Sequence, residues 1–117
     1  INTYDMDPMT KEIIMGSNHD LCNIVFDHED FKQADVWINT SCEHNYPMGD
    51  IIPKGTMCIM SSNNLRKRGH INPVNSLVEF KEQLDLSNLI DMDAINFDFE
   101  DDEGKRKYEQ YFVMGIK

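Results

Sequence analysis

The segment Ala34 to His44 runs from three large apolar residues in succession, Val36, Trp37 and Ile38, straight into six polar ones, Asn39-Thr40-Ser41-Cys42-Glu43-His44. A strand with one solvent face alternates apolar and polar residues. Consecutive bulky apolar residues instead predict a strand covered on both faces, as at the centre of a parallel sheet flanked by helices. The polar block at its end then falls where open α/β sheets hold their ligands, in the crevice beyond the carboxyl ends of the strands. One stretch therefore predicts both an α/β fold and the position of its functional centre.

The remaining chain is read around that strand. Ile1 to Asp7 suits a strand, Pro8 follows Asp7 at a first-helical-turn position, and Met9 to Met15 continues as a short helix stopped by Gly16-Ser17-Asn18. Leu21 to Phe26 is a second strand, and Asp27 to Gln33 a polar loop. Pro47 to Pro53 reads as loop or a short helical turn, and Gly55 to Met60 as a fourth strand opening into Ser61-Ser62-Asn63-Asn64. Ser76 to Leu86 has a helical spacing of apolar residues, with Ser76 and Glu79 placed as a capping box. Ala94 to Phe99 and Tyr108 to Ile116 both alternate around an acidic turn with Gly104, which predicts an antiparallel hairpin. The order β-α-β-β-β-α-β-β favours an α/β sheet in one domain, residues 1–117.

Composition limits the partners. A formal net charge of −10 and a pI near 4.6 argue against binding along a phosphate backbone, which requires a cationic surface. The runs Arg66-Lys67-Arg68 and Lys105-Arg106-Lys107 are short, flanked by acids, and read as solvated loops. No apolar stretch approaches the roughly 20 residues needed to span a bilayer. Cys22, Cys42 and Cys58 are odd in number and lack paired spacing, which argues against a disulfide framework; Cys22 and Cys58 fall inside apolar runs and read as small core residues of a reducing, cytoplasmic compartment.

Chemistry is sought at the strand ends. Asp5 and Asp7 follow the first strand, Asp27 and His28 the second, Asn39 to His44 the third, and Ser61 to Asn64 the fourth. An acid there suits the two hydroxyls of a ribose, with Asp5 before Asp7, which also suits a helix N-cap. Asp27 suits an exocyclic amine of adenine. Four readings of Asn39 to His44 stand side by side. A zinc site would use Cys42, His44 and His70 or His28, but the spacing matches no finger or ribbon pattern, and no metal is assigned. Cys42 as nucleophile with His44 as base requires an unusual turn, because the two are only two residues apart. Glu43 and His44 suit substrate holding and proton transfer near neutral pH. Finally, Asn39, Thr40 and Ser41 suit local capping of loop backbone groups. His70, in His70-Ile71-Asn72-Pro73, is placed either over the same crevice or in a solvated loop.

Taken together, Ile38 to His44, Gly55-Thr56 to Asn63, His70-Ile71-Asn72, Tyr111 to Ile116 and the opening Tyr4-Asp5-Met6-Asp7-Pro8 resemble the class I S-adenosylmethionine-dependent methyltransferases. The likeness is greatest to an uncharacterised phage and bacterial subgroup. It covers nearly the whole chain as the C-terminal two thirds of that fold. It implies a Rossmann-like, mostly parallel sheet with a C-terminal antiparallel hairpin, incomplete at its N-terminus. It further implies methyl transfer from S-adenosylmethionine to a small or polymer-attached acceptor. By this resemblance Asp5, Asp7, Asp27 and Asn39 would hold the cofactor. Ser41, Cys42, Ser62, Asn63, His70 and Asn72 would face the acceptor, and Glu43 and His44 would be catalytic. Ser61 departs from the subgroup, where an amide-bearing residue is expected. The family's first strand, Gly-rich loop and first helix would precede Ile1. Their absence from this chain would leave two neighbouring strands with unpaired edges, which natural proteins avoid. The chain is accordingly read as a piece of a longer protein, ahead of a sheet completed by a partner chain or by dimerisation. A binding or assembly protein without turnover is the alternative function.

Overall fold

A computed structural model describes residues 2–3, 23–24, 34–102 and 104–117. The chain divides into two units, Ile1–Ala34 and Asp35–Lys117. In the first, β1 (Asn2–Thr3) and β2 (Asn23–Ile24) pair in parallel, Asn2 opposite Asn23. The expected helix Met9 to Met15, and Asp5, Asp7, Asp27, His28 and Cys22, lie outside the described residues.

The second unit is built on a four-stranded sheet. Its strands are β3 (Val36–Asn39), β4 (Met57–Asn63), β5 (Asn88–Asp101) and β6 (Gly104–Ile116), in the order β3-β4-β6-β5. Only β3 and β4 run parallel, while β6 is antiparallel to both of its neighbours. This overturns the expectation of a mostly parallel, helix-flanked Rossmann-like sheet. Strand dominates, pairing is mainly antiparallel, and α1 (Leu77–Leu84) is the one α-helix among the described residues.

Two local causes account for the difference. The connection from β3 to β4 carries Pro47, Gly49, Pro53 and Gly55, and forms only the 3-10 turns Cys42–His44 and Met48–Asp50 where a crossover helix would be needed. The hairpin also extends well beyond its alternating segments, to 14 residues in β5 and 13 in β6. The antiparallel ladder therefore makes up most of the sheet.

The run Val36-Trp37-Ile38 sits at the edge of this sheet, not at its centre. Trp37 is buried, whereas Val36 and Ile38 are 48% and 67% exposed. The fourth strand is likewise longer than expected, because Ser61, Ser62 and Asn63 continue the ladder opposite Phe112, Tyr111 and Gln110.

Register gathers the core on one face. Trp37 lies beside Cys58; Met60 and Ser62 lie opposite Val113 and Tyr111, and all six are buried. That face is closed by α1, which packs on β6, and by the two 3-10 turns, the first against β4 and the second against α1. Phe80 and Leu84 of α1, with Cys42, Ile52 and Val74 from the connections, complete the layer. Each large apolar side chain buried there contributes about 1.5–3 kcal/mol. Gly49 is required by this packing, since a Cβ at that position would collide with the Gln83 carbonyl in the last turn of α1.

The helix begins where the capping pattern placed it. Ser76 Oγ accepts from Glu79 N at 3.1 Å. The Glu79 carboxylate reaches one residue further back than in the usual box, accepting from Asn75 N and Asn75 Nδ2, both at 2.8 Å. These bonds hold the Glu79 carboxyl below its ordinary range. Asp85 ends the helix in the left-handed conformation, φ 49°. Lys117 Nζ donates to its carbonyl at 3.1 Å and to its carboxylate at 3.0 Å. At the outer edge of the sheet, Asp91 Oδ1 accepts from Met92 N at 2.9 Å and Asp93 Oδ1 from Ala94 N at 2.8 Å. Together with the bulge between Leu89 and Asp91, these carboxylates occupy donors that a foreign strand would need.

Candidate functional site

Because β3 and β4 are parallel, Asn39 and Asn63 end on the same side of the sheet. The 3-10 turn Cys42–His44 follows β3 directly, and the segment after β4 folds back across it. Ile71 N and Asn72 N both donate to the Glu43 carbonyl, at 2.9 and 3.0 Å, and Val74 N donates to the Asn63 carbonyl at 3.1 Å. A second set of bonds ties the start of the segment to β6. Asn64 Oδ1 accepts from Glu109 N at 2.9 Å, and Glu109 Oε2 accepts from Tyr111 Oη at 2.8 Å. Burial, and then the Glu109 carboxylate, push the Tyr111 phenol up to about 12. These bonds bring His70 to His44, their rings 4.6 Å apart and edge to face.

Both imidazoles are held from behind by backbone. His44 Nδ1 lies 2.9 Å from the Gly69 carbonyl, and His70 Nδ1 lies 2.7 Å from the Leu65 carbonyl. A carbonyl oxygen can only accept, so each Nδ1 carries a proton and in the neutral ring each Nε2 presents a lone pair. Glu43 completes the group, its Oε1 3.7 Å from His44 Nε2. Its side chain is only 8% exposed, and Oε2 is buried without a hydrogen-bond partner. Carboxylate and imidazoles line a hollow of about 310 Å³, with Asn63, Lys67, Tyr108 and Gln110 on its walls.

The structure thus brings together Glu43, His44, Asn63 and His70 from the residues expected on sequence grounds. It gives the others local work. Asn39 Oδ1 accepts from Ser41 N at 2.9 Å, a turn-forming bond that leaves less of this amide for a cofactor. The Ser41 carbonyl accepts from His44 N and from Asn45 Nδ2, at 3.1 and 3.0 Å. Cys42 is 1% exposed with its Sγ 4.0 Å from Met60 Sδ, and burial is the main cause pushing its thiol up to about 12. A thiol so placed is a core residue, unsuited to nucleophilic attack. Ser62 is fully buried in β4 and is not among the residues that line the hollow. Asn72 and Gln83 exchange amide hydrogen bonds at 2.9 and 3.3 Å, tying the loop to α1. Ser61, where an amide was expected, accepts instead from Gln110 Nε2 across the ladder.

Lys67, Tyr108 and Gln110 were not anticipated. Tyr108 and Gln110 share one face of β6 by their period of two, and they reach the hollow only through the β4–β6 register, which places Gln110 opposite Asn63. No short-range pattern in the sequence carries that pairing. The sequence matches no protein-family model and no curated protein.

Proposed function

We propose that the hollow formed by Glu43, His44 and His70 binds a small polar acceptor and assists removal of a proton from it. The observation that carries this reading is the buried, unpartnered Glu43 Oε2 beside two imidazoles whose Nε2 atoms are left available. Such an arrangement suits proton transfer, because an imidazole nitrogen can accept a proton and a carboxylate stands beside it. Lys67, Asn63 and Gln110 supply donors that would orient an oxygen-bearing ligand.

The reaction proposed for this acceptor is methyl transfer from S-adenosylmethionine, on the strength of the sequence resemblance. Among the described residues, those that support this reading belong to the proposed acceptor side. Asn39 is engaged in its own turn, and Asp5, Asp7 and Asp27 lie outside the described residues. The chemistry assigned to this chain is accordingly binding, orientation and proton removal, in a cytoplasmic setting that suits the free, buried thiols of Cys42 and Cys58. No helix among the described residues is long and apolar enough to cross a membrane.

Calorimetry with S-adenosylmethionine and S-adenosylhomocysteine on this chain tests the donor. Saturable heat with either supports methyl transfer, and no heat with both defeats it. In that event a binding role for the hollow, without turnover, takes its place.

A further inference from the structure

Glu43, His44 and His70 are all metal-ligand types, and one donor atom of each lies within 4.8 Å of the other two. Around a first-row divalent ion bonded at about 2.0–2.2 Å, donor atoms stand roughly 3–3.5 Å apart. The half-exposed His44 side chain can make up the difference with a movement of about one ångström.

Two features separate this trio from a chance cluster. Metal-bound histidines characteristically donate their second ring N–H to a carbonyl or carboxylate, which fixes the ring and leaves the other nitrogen for the ion. Both His44 and His70 have that support, from Gly69 and Leu65. The second feature is Glu43 Oε2. A buried oxygen without a donor destabilises the fold, and a cation held by both oxygens of the carboxylate would supply the missing partner.

We propose that Glu43, His44 and His70 bind one divalent transition-metal ion of the zinc type. The donor set differs from the cysteine-based one weighed on sequence grounds, because Cys42 is turned into the core and Glu43 takes its place. Two imidazoles and a carboxylate leave coordination positions open, the mark of a site that acts on a ligand rather than one that only braces the fold. Those positions face the hollow, where Lys67 favours an anionic or oxygen-rich ligand. The inference rests on the same hollow as the proposed function and adds the ion that would polarise the acceptor oxygen there.

The test uses the chain stripped by a chelator, then titrated with zinc(II) by calorimetry and with cobalt(II) by absorption. One ion per chain is expected, with a cobalt ligand-field band of low-symmetry coordination. His44→Ala, His70→Ala and Glu43→Gln should each weaken binding by about tenfold or more, and in nitrogen-detected spectra zinc should shift the Nε2 resonances. Thermal unfolding of each stripped variant, compared with the stripped parent, identifies any that fails to fold. Glu43→Gln, which keeps the backbone bonds to Ile71 and Asn72, is the decisive variant. Sub-stoichiometric binding, or folded variants that bind as the parent does, would overturn the metal site. Loss of the metal result alone, with saturable heat from S-adenosylmethionine or S-adenosylhomocysteine retained, leaves the proposed function standing. Zinc binding with no heat from either S-adenosylmethionine or S-adenosylhomocysteine does the reverse.

Discussion

Glu43→Met should stabilise the metal-free protein. The substitution keeps side-chain length, and it leaves untouched the Glu43 carbonyl that accepts from Ile71 N and Asn72 N. It removes a buried oxygen with no partner, whose desolvation costs about 1–3 kcal/mol. Against this stands the lost 3.7 Å contact with His44, whose side chain is 47% exposed; an ion pair so open to solvent is worth about 0–1 kcal/mol. Methionine fills an irregular space of this kind with little strain. The balance is a gain of about 1–2 kcal/mol. For a unit of this size each kcal/mol moves the midpoint by roughly 4–8 °C, so the rise should be roughly 5–15 °C. Thermal unfolding followed by circular dichroism, with a chelator present throughout, measures it. The same variant should lose metal and acceptor binding altogether. A midpoint that falls, or stays where it was, would refute the reasoning, since it would mean that the carboxylate is held for the fold and not for a ligand.

Three further outcomes follow from the same geometry. Ser76→Ala should cost about 1 kcal/mol in denaturant unfolding, because it strips Glu79 N of its capping oxygen at the start of α1. Cys42 should resist alkylation in the folded protein at mildly alkaline pH and react once denatured, since burial has pushed its thiol up to about 12; rapid labelling of the native state would contradict the packing. Tyr111 is raised from 10.0 to about 12, so its contribution to stability is complete below pH 10 and is lost as the pH rises from 10 towards 12. Denaturant midpoints across that interval should fall less steeply for Tyr111→Phe than for the parent.

Particular residues show what the sequence could and could not carry. The helix at Ser76 was legible because its signals are local: a capping serine, an acid three residues on, and apolar residues returning at helical spacing. The hairpin was legible for the same reason, though its ends were not. Asn88 to Asp93 pairs because β6 is there to receive it, and the ladder continues through a bulge that no alternation announces. The misreading of Val36-Trp37-Ile38 has a different origin. Three consecutive apolar residues report that neither face is polar; they do not report that both are covered. An edge strand can bury Trp37 and leave Val36 and Ile38 exposed with the same three letters.

The site divides along the same line. Glu43 and His44 stand next to one another at the end of a strand, and any reading that finds the strand finds them. His70 is 26 positions from His44 in the numbering, yet it is brought to it by bonds running mostly through backbone: the Glu43 carbonyl to Ile71 and Asn72, Leu65 to the His70 ring, Gly69 to the His44 ring. Backbone donors and acceptors are carried by nearly every residue, so they leave no trace in composition or spacing. This explains why the sequence alone could place a histidine either over the crevice or in solvent. It also explains why Cys42 looked like part of the chemistry. In the 3-10 turn Cys42–His44 successive side chains diverge, and the one that faces the core is fixed by what it meets there, Met60, while Glu43 and His44 turn to the hollow. A six-residue motif therefore splits between stabilising the fold and serving a ligand, and the division falls between adjacent residues.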